Sequence, residues 1–145
     1  MGICWTHKNQ KYNMQNFIKR FQEWFILKPK LDNSNYYPPK FSQKQVWFCY
    51  CGENVGGEIS GKGNEFLRPF LILKKLDRYS FVGLPLSTKP KEGNRYLRIY
   101  FKEKLQTVYL HQPRHLDYRR LKYKLGEITD KEFIEIRLNF INLYK

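Results

Sequence analysis

The chain has 145 residues, and at roughly 100–200 residues per domain this length predicts one compact domain with a small appendage. Its hydrophobic share of 41% and aromatic share of 17% supply a core without disulfides or metal, which excludes a disordered chain and a stapled mini-protein. Lys and Arg number 27 against 13 Asp and Glu, and the formal charge of +14 favours phosphates, acidic protein segments or anionic lipid as partners. The absence of alanine and the abundance of Lys, Asn, Ile, Phe and Tyr fit coding DNA rich in A and T, so codon bias accounts for part of that charge.

Met14, Phe17, Ile18, Phe21, Trp24 and Phe25 recur at spacings of three and four, predicting a helix over residues 13–27 with one apolar stripe. Asn13 is its expected cap and Pro29 its stop just after Leu27. Lys19, Arg20 and Glu23 occupy the opposite face, and so short a basic amphipathic helix is expected to pack on its own domain or on a subunit rather than on a membrane. Residues 31–43, LDNSNYYPPKFSQ, are polar, hold two consecutive prolines and read as a linker. The expected division is therefore an N-terminal helix and linker over residues 1–42 and a second unit over residues 43–145.

Short apolar runs separated by turn residues then predict strands near 45–51, 66–75, 80–86, 95–102 and 106–111, with Gly93-Asn94 marking a tight turn. Thr129 followed by Glu132 is a capping-box pattern, and Phe133, Ile136, Phe140 and Tyr144 mark the buried side of a closing helix. The economical architecture is a strongly bent antiparallel sheet with a helix at either end. Cys4, Cys49 and Cys51 supply neither a disulfide framework nor zinc-ligand spacing, and Cys49 and Cys51 read as alternate positions on one strand. With no apolar leader or membrane-length run, a soluble, cytoplasmic protein is expected.

Several motifs compete for the chemistry. Gly56 to Lys62 matches the phosphate-cradling G-x-x-x-x-G-K, but Gly63 stands where Ser or Thr belongs, and Arg68-Pro69 turns the chain into a strand instead of a helix. Glu53, Glu58 and Glu65 flank a glycine-rich loop without the fixed separation that paired acid and base roles demand. His111 and His115, near Arg114, suit acid/base work on phosphate, or simply the polar end of a strand. Between His111 and Lys124 lie Arg114, Arg119, Arg120, Lys122 and Lys124, with Tyr118 and Tyr123 interleaved and Asp117 the single acid. Cations beside aromatic faces neutralise phosphates and stack unpaired bases, as a single nucleic-acid strand requires.

The order of these segments resembles the MazF/PemK family of toxins from bacterial toxin–antitoxin systems, over about residues 43–145. VWFCYCGENVGGE resembles the family's first strand and loop with its Glu, here Glu58, and FLRPFLILKK its "RP" strand with the catalytic arginine at Arg68. SFVGLPLST resembles the strand ending in a catalytic hydroxyl, here Ser87. VYLHQPRHLDYRRL resembles the Q-x-R-x-x-D-x-x-R-L segment, placing Gln112, Arg114, Asp117 and Arg120, and KLGEITDKEF resembles the entry to the last helix. The resemblance implies a mainly β fold, a small Src-homology-3-like antiparallel barrel of the MazF/PemK/CcdB type with a C-terminal helix, to which this chain adds an N-terminal helix.

It further implies a homodimeric, metal- and cofactor-independent endoribonuclease, an mRNA interferase. Such an enzyme cuts single-stranded RNA at short sequences to a 2′,3′-cyclic phosphate and a 5′-hydroxyl, and is neutralised by an acidic antitoxin. Arg68 and Ser87 are the expected catalytic pair, and Glu58, Gln112, Arg114 and Arg120 expected substrate contacts. His111 joins them, and either it or Arg68 is the candidate general base. Lys44-Gln45 replaces the family's usual Gly-Asp, Ile59 its Gln, and the loop from Glu58 to Arg68 is longer than is common. A CcdB-like gyrase poison acting by protein binding and a non-catalytic nucleic-acid-binding module remain the alternatives.

Overall fold

A computed structural model describes residues 19–145 of the chain. Helix α1 (Phe21–Asp32) leads into an irregular segment, then strands β1 (Gln45–Tyr50), β2 (Leu67–Lys75), β3 (Ser80–Ser87), β4 (Tyr96–Phe101), β5 (Lys104–Tyr109), β6 (Arg114–Asp117) and β7 (Leu121–Glu127). A 3₁₀ turn (Tyr118–Arg120) joins β6 to β7, and helix α2 (Asp130–Leu143) closes the chain. Every strand pairing is antiparallel, in the order β4-β5-β3-β2-β1-β7. Off that path, β6 pairs with the first half of β3, Ser80 to Gly83, while Leu86 and Ser87 pair with β5. Pro85, with no N–H to donate, falls in the gap where β3 changes partner.

The expected barrel is an open, barrel-like sheet. No register of hydrogen bonds joins β4 to β7, but their ends approach so closely that a Cβ on Gly126 would lie 3.2 Å from the Phe101 ring.

The apolar runs of β2 and β3 exist because the bent sheet is covered on both faces. Leu71, Leu84 and Leu86 join Val46, Ile99 and Val108 beneath Phe133 and Ile136 of α2. Phe70, Ile72 and Phe81 join Trp47, Cys49, Leu116 and Leu121 on the other side. Thr129 starts α2 as expected, its Oγ1 accepting from Glu132 N at 3.2 Å. Phe133 and Ile136 are buried, whereas Tyr144 is exposed, its hydroxyl donating to Leu110 O at 3.3 Å.

Several expectations are corrected. Helix α1 runs through Pro29 to Asp32: the ring costs only one hydrogen bond this close to the end, and Asn33 N and Ser34 Oγ return to the carbonyls of Pro29 and Lys30 at 3.0 Å each. Its buried stripe is Trp24, flanked by half-buried Phe21, Leu27 and Leu31, while Phe25 is 60% exposed. The helix begins at Phe21, so Lys19 and Arg20, expected on its polar face, precede it, and Asn13, Met14, Phe17 and Ile18 lie outside the described residues. Strands β6 and β7 were read only as a basic stretch, and the remaining predicted strands agree with the structure to within a few residues. None of the described helices is long and apolar enough to cross a membrane.

Candidate active-site cleft

Arg68 enters from the start of β2, opposite Cys49 of β1, and is 8% exposed. Its Nε donates to Ser60 O at 2.7 Å and its Nη1 to Leu86 O at 3.2 Å. The second bond carries the guanidinium to the residue preceding Ser87, and the two residues, from neighbouring strands, line the same cavities. A guanidinium has five N–H donors, so these two bonds leave others for a ligand. Burial lowers the Arg68 pKa, yet a guanidinium stays charged at any physiological pH. Ser87 is 5% exposed, and its Oγ accepts from Lys89 N at 3.2 Å. Across the β3–β5 pair Thr107 Oγ1 donates to Lys89 O at 2.8 Å, so the turn after Ser87 is pinned on both sides.

Arg68, Ser87 and Lys62 form the wall shared by two cavities of opposite character. One, of 390 Å³, is lined by Lys62, Arg68, Lys89, Lys91 and Arg95 together with His111 and Gln112, and by no carboxylate. The other, of 720 Å³, is largely apolar, walled by Phe48, Leu67, Pro69, Phe101 and Leu125. An anion in the first meets at least five cations in a partly desolvated space, where each interaction counts for more than in bulk water.

His111 stands at the end of β5 with its ring stacked on Tyr109, 5.9 Å between centroids, and edge-on to Tyr96 at 5.1 Å. Its Nδ1 lies 3.3 Å from Arg95 O, which can only accept, and its Nε2 lies 3.4 Å from Gln112 Nε2, which can only donate. This pattern assigns the proton to Nδ1 and directs the Nε2 lone pair to the Gln112 amide. Gln112 also donates to Gly57 O at 3.2 Å and accepts from Ile59 N at 2.7 Å, tying the glycine-rich loop to the sheet.

A family model of PemK-like, MazF-like toxins of type II toxin–antitoxin systems matches residues 42–144. The chain belongs to this family. Solved structures agree in fold: MazF of Deinococcus radiodurans, 20% identical, aligns over 76% of this chain and 98% of its own with a TM-score of 0.57. A mycobacterial endoribonuclease in complex with its cognate antitoxin, 18% identical, aligns over 71% of this chain and 93% of its own with a TM-score of 0.54. The Deinococcus radiodurans MazE-MazF complex, 18% identical, covers 76% and 97% with a TM-score of 0.52. No curated protein sequence matches the chain significantly.

Of the residues singled out from the sequence of this PemK/MazF-family chain, Arg68, Ser87, His111 and Gln112 come together at the cleft. Glu58, Arg114 and Arg120 line neither of the two cavities. The Glu58 carboxylate accepts from Val55 N at 3.0 Å, closing its own turn. Arg114 Nη1 donates to Cys51 O at 2.9 Å, and Arg120 Nη1 to Tyr50 O at 2.8 Å and Cys51 O at 3.4 Å. Both guanidiniums thus fasten the end of β1 where the loop begins. Burial, and then the neighbouring Arg114 charge, lower the Arg120 pKa, and burial keeps the Cys51 thiol protonated. Lys89, Lys91 and Arg95 are not among the expected site residues, although the KPK run that begins two residues after Ser87, with Arg95 beyond it, was the available signal. Lys62 was passed over with the rejected phosphate-loop pattern. Among the described residues no group of three or more His, Cys, Asp or Glu is placed to hold a metal ion.

Proposed function

We propose that this chain is a toxin endoribonuclease that cuts single-stranded RNA at short sequences. It works without metal, leaves a 2′,3′-cyclic phosphate and a 5′-hydroxyl, acts in the cytoplasm as a homodimer, and is neutralised by an acidic antitoxin. One observation carries the reading: Arg68 and Ser87 share a wall of a cleft lined by cations and no carboxylate.

RNA brings its own nucleophile, so the protein need only align the 2′-hydroxyl with phosphorus, move protons and stabilise the added negative charge. In this reading Gln112 turns from His111 to the substrate, the freed His111 Nε2 takes the 2′-hydroxyl proton, the 2′ oxygen bonds to phosphorus, and the bond to the 5′ oxygen breaks. The leaving oxygen is protonated from water. Arg68 presents its free donors to the phosphoryl oxygens as charge grows there, the role in which preorganised donors contribute most. The Ser87 hydroxyl donates to the same phosphate, and Lys62, Lys89, Lys91 and Arg95 hold the flanking backbone. Arg95 O orients His111 through its Nδ1–H. Glu58, Arg114 and Arg120 act through the loop they fasten. The same cations suit the acidic segment of an antitoxin, and the adjoining apolar cavity its apolar side chains.

A long transcript incubated with pure protein in excess chelator, with the cut ends mapped, tests the proposal. Cyclic-phosphate ends at a recurring short sequence are expected. Retention of RNA without cleavage identifies a silent binding module, and neither outcome leaves the gyrase-poison alternative. Sedimentation of the pure protein checks the dimer.

A further inference from the structure

Helix α1 precedes the region matched by the family model, yet its side chains close over the loop bordering the cleft. Trp24 is 3% exposed, and its indole meets the Phe66 ring edge-on at 5.5 Å between centroids. It also presses on Gly52, whose φ is +87°, so closely that a Cβ there would lie 2.6 Å from two indole atoms. Just before the helix, the Arg20 guanidinium sits 4.9 Å from the Phe66 ring centre and donates to Gly63 O at 3.1 Å. Lys19 Nζ donates to Gly56 O at 3.0 Å.

What this cover protects is a strained turn. Phe66 takes φ +54°, a left-handed conformation that bulky residues hold only where their surroundings over-determine it. Its carbonyl accepts from Cys51 N at 2.8 Å and Gly52 N at 3.2 Å, and would lie 1.8 Å from a Cβ on Gly61. The loop therefore crosses itself here with no room to shift. Two residues onward stands Arg68, and the same loop supplies Ser60 O, which holds the Arg68 Nε at 2.7 Å.

We infer that α1 is a clamp that positions Arg68. Trp24 and Arg20 are positioning residues: they hold the Phe66 ring, which keeps the loop crossed, which in turn fixes the Ser60 carbonyl that aims the guanidinium. This rests on the cleavage reading of the cleft for its kinetic consequence, but the mechanical claim stands apart from it. A helix that merely adds stability slows unfolding everywhere, whereas a clamp acts on residues 52–66 and on the Arg68 side chain.

The test uses the full chain with Trp24→Ala, Trp24→Phe and the double variant Lys19→Gln with Arg20→Gln. Amide hydrogen exchange over residues 52–66 and water exchange of the Arg68 Nε–H by NMR are read beside kcat and KM on single-stranded RNA. Trp24→Ala is expected to speed both exchanges while β2, β3 and β5 stay protected. It should lower kcat roughly tenfold to a hundredfold, as small misplacements of a catalytic group do, with less change in KM. Trp24→Phe should recover most of each loss. Should Trp24→Ala fail to fold, the double variant at the surface carries the same expectation at smaller size. Unchanged exchange at the loop and at Arg68 in a folded variant overturns the clamp, and faster exchange with unchanged kcat overturns its kinetic consequence. If the wild-type chain cuts no RNA, the function proposed above fails, and the Arg68 Nε–H measurement alone decides the clamp.

Discussion

Replacing Arg68 with methionine separates what the guanidinium does for chemistry from what it does for the fold. The side chain is 8% exposed and donates to Ser60 O and Leu86 O, with its other donors free for a ligand. Loss of one preorganised donor at a developing oxyanion typically costs about 3–4 kcal/mol, so kcat should fall roughly 100- to 1,000-fold. Stability responds to two opposing changes. Two carbonyls lose their partner, at about 1–3 kcal/mol each where water cannot replace it. Against this, a buried cation with no carboxylate beside it disappears, along with a desolvation penalty of several kcal/mol. The net change in Arg68→Met should stay within about 2 kcal/mol of zero. Arg68→Lys keeps the charge but not the planar fork, and should fall between wild type and Arg68→Met in activity. Initial-rate cleavage assays and urea unfolding on the same preparations measure both quantities. Wild-type kcat in a folded Arg68→Met variant would refute the reasoning, as would an activity loss that simply follows the unfolded fraction.

Three further outcomes are expected. For a non-cleavable 2′-deoxy analogue, the logarithm of the binding constant should fall against log salt with a slope near −0.7 for each phosphate neutralised, and Lys89→Gln with Lys91→Gln should reduce that slope by about 1.4. A flat salt response removes the electrostatic role of the cleft. Backbone N–H donation from Tyr79 at 2.7 Å, followed by the Ser80 hydroxyl at 3.1 Å, holds the Asp77 carboxyl below its ordinary value of 3.8. The carboxylate therefore contributes stability above that value and loses it as pH falls through the lower folded value, so Asp77→Asn should flatten the acid limb of a urea-midpoint-versus-pH curve. Thr129→Ala, which removes the acceptor for Glu132 N, should cost about 1 kcal/mol by the same unfolding assay, and an unchanged midpoint would show that the cap contributes nothing.

Much of the sheet was legible because its signals are local. Runs such as Phe70 to Leu73 and Gly83 to Leu86 announce strands covered on both faces, and Thr129 with Glu132 announces a helix start, since the responsible atoms lie within a few residues of each other. Strands β6 and β7 escaped notice because β6 is only four residues long and β7 exposes three consecutive residues, Lys122, Tyr123 and Lys124, so neither shows the alternation that marks a strand. Pro29 misled for a related reason. A proline forbids one hydrogen bond, but whether the helix ends there depends on how many bonds follow and on what Trp24 packs against.

For the site, the resemblance of FLRPFLILKK and SFVGLPLST to two family strands singled out Arg68 and Ser87, while composition alone predicted that the chain as a whole attracts polyanions. Which of its many cations serve the cleft was decided by the bend of β3, which brings the loop after Ser87 against the loop before Arg68. The same folding turned Arg114 and Arg120 inward to the carbonyls of Tyr50 and Cys51. A guanidinium looks the same in sequence whether it meets a ligand or a backbone oxygen. Its partner is set by which segments, far apart along the chain, the curved sheet carries to within hydrogen-bonding reach.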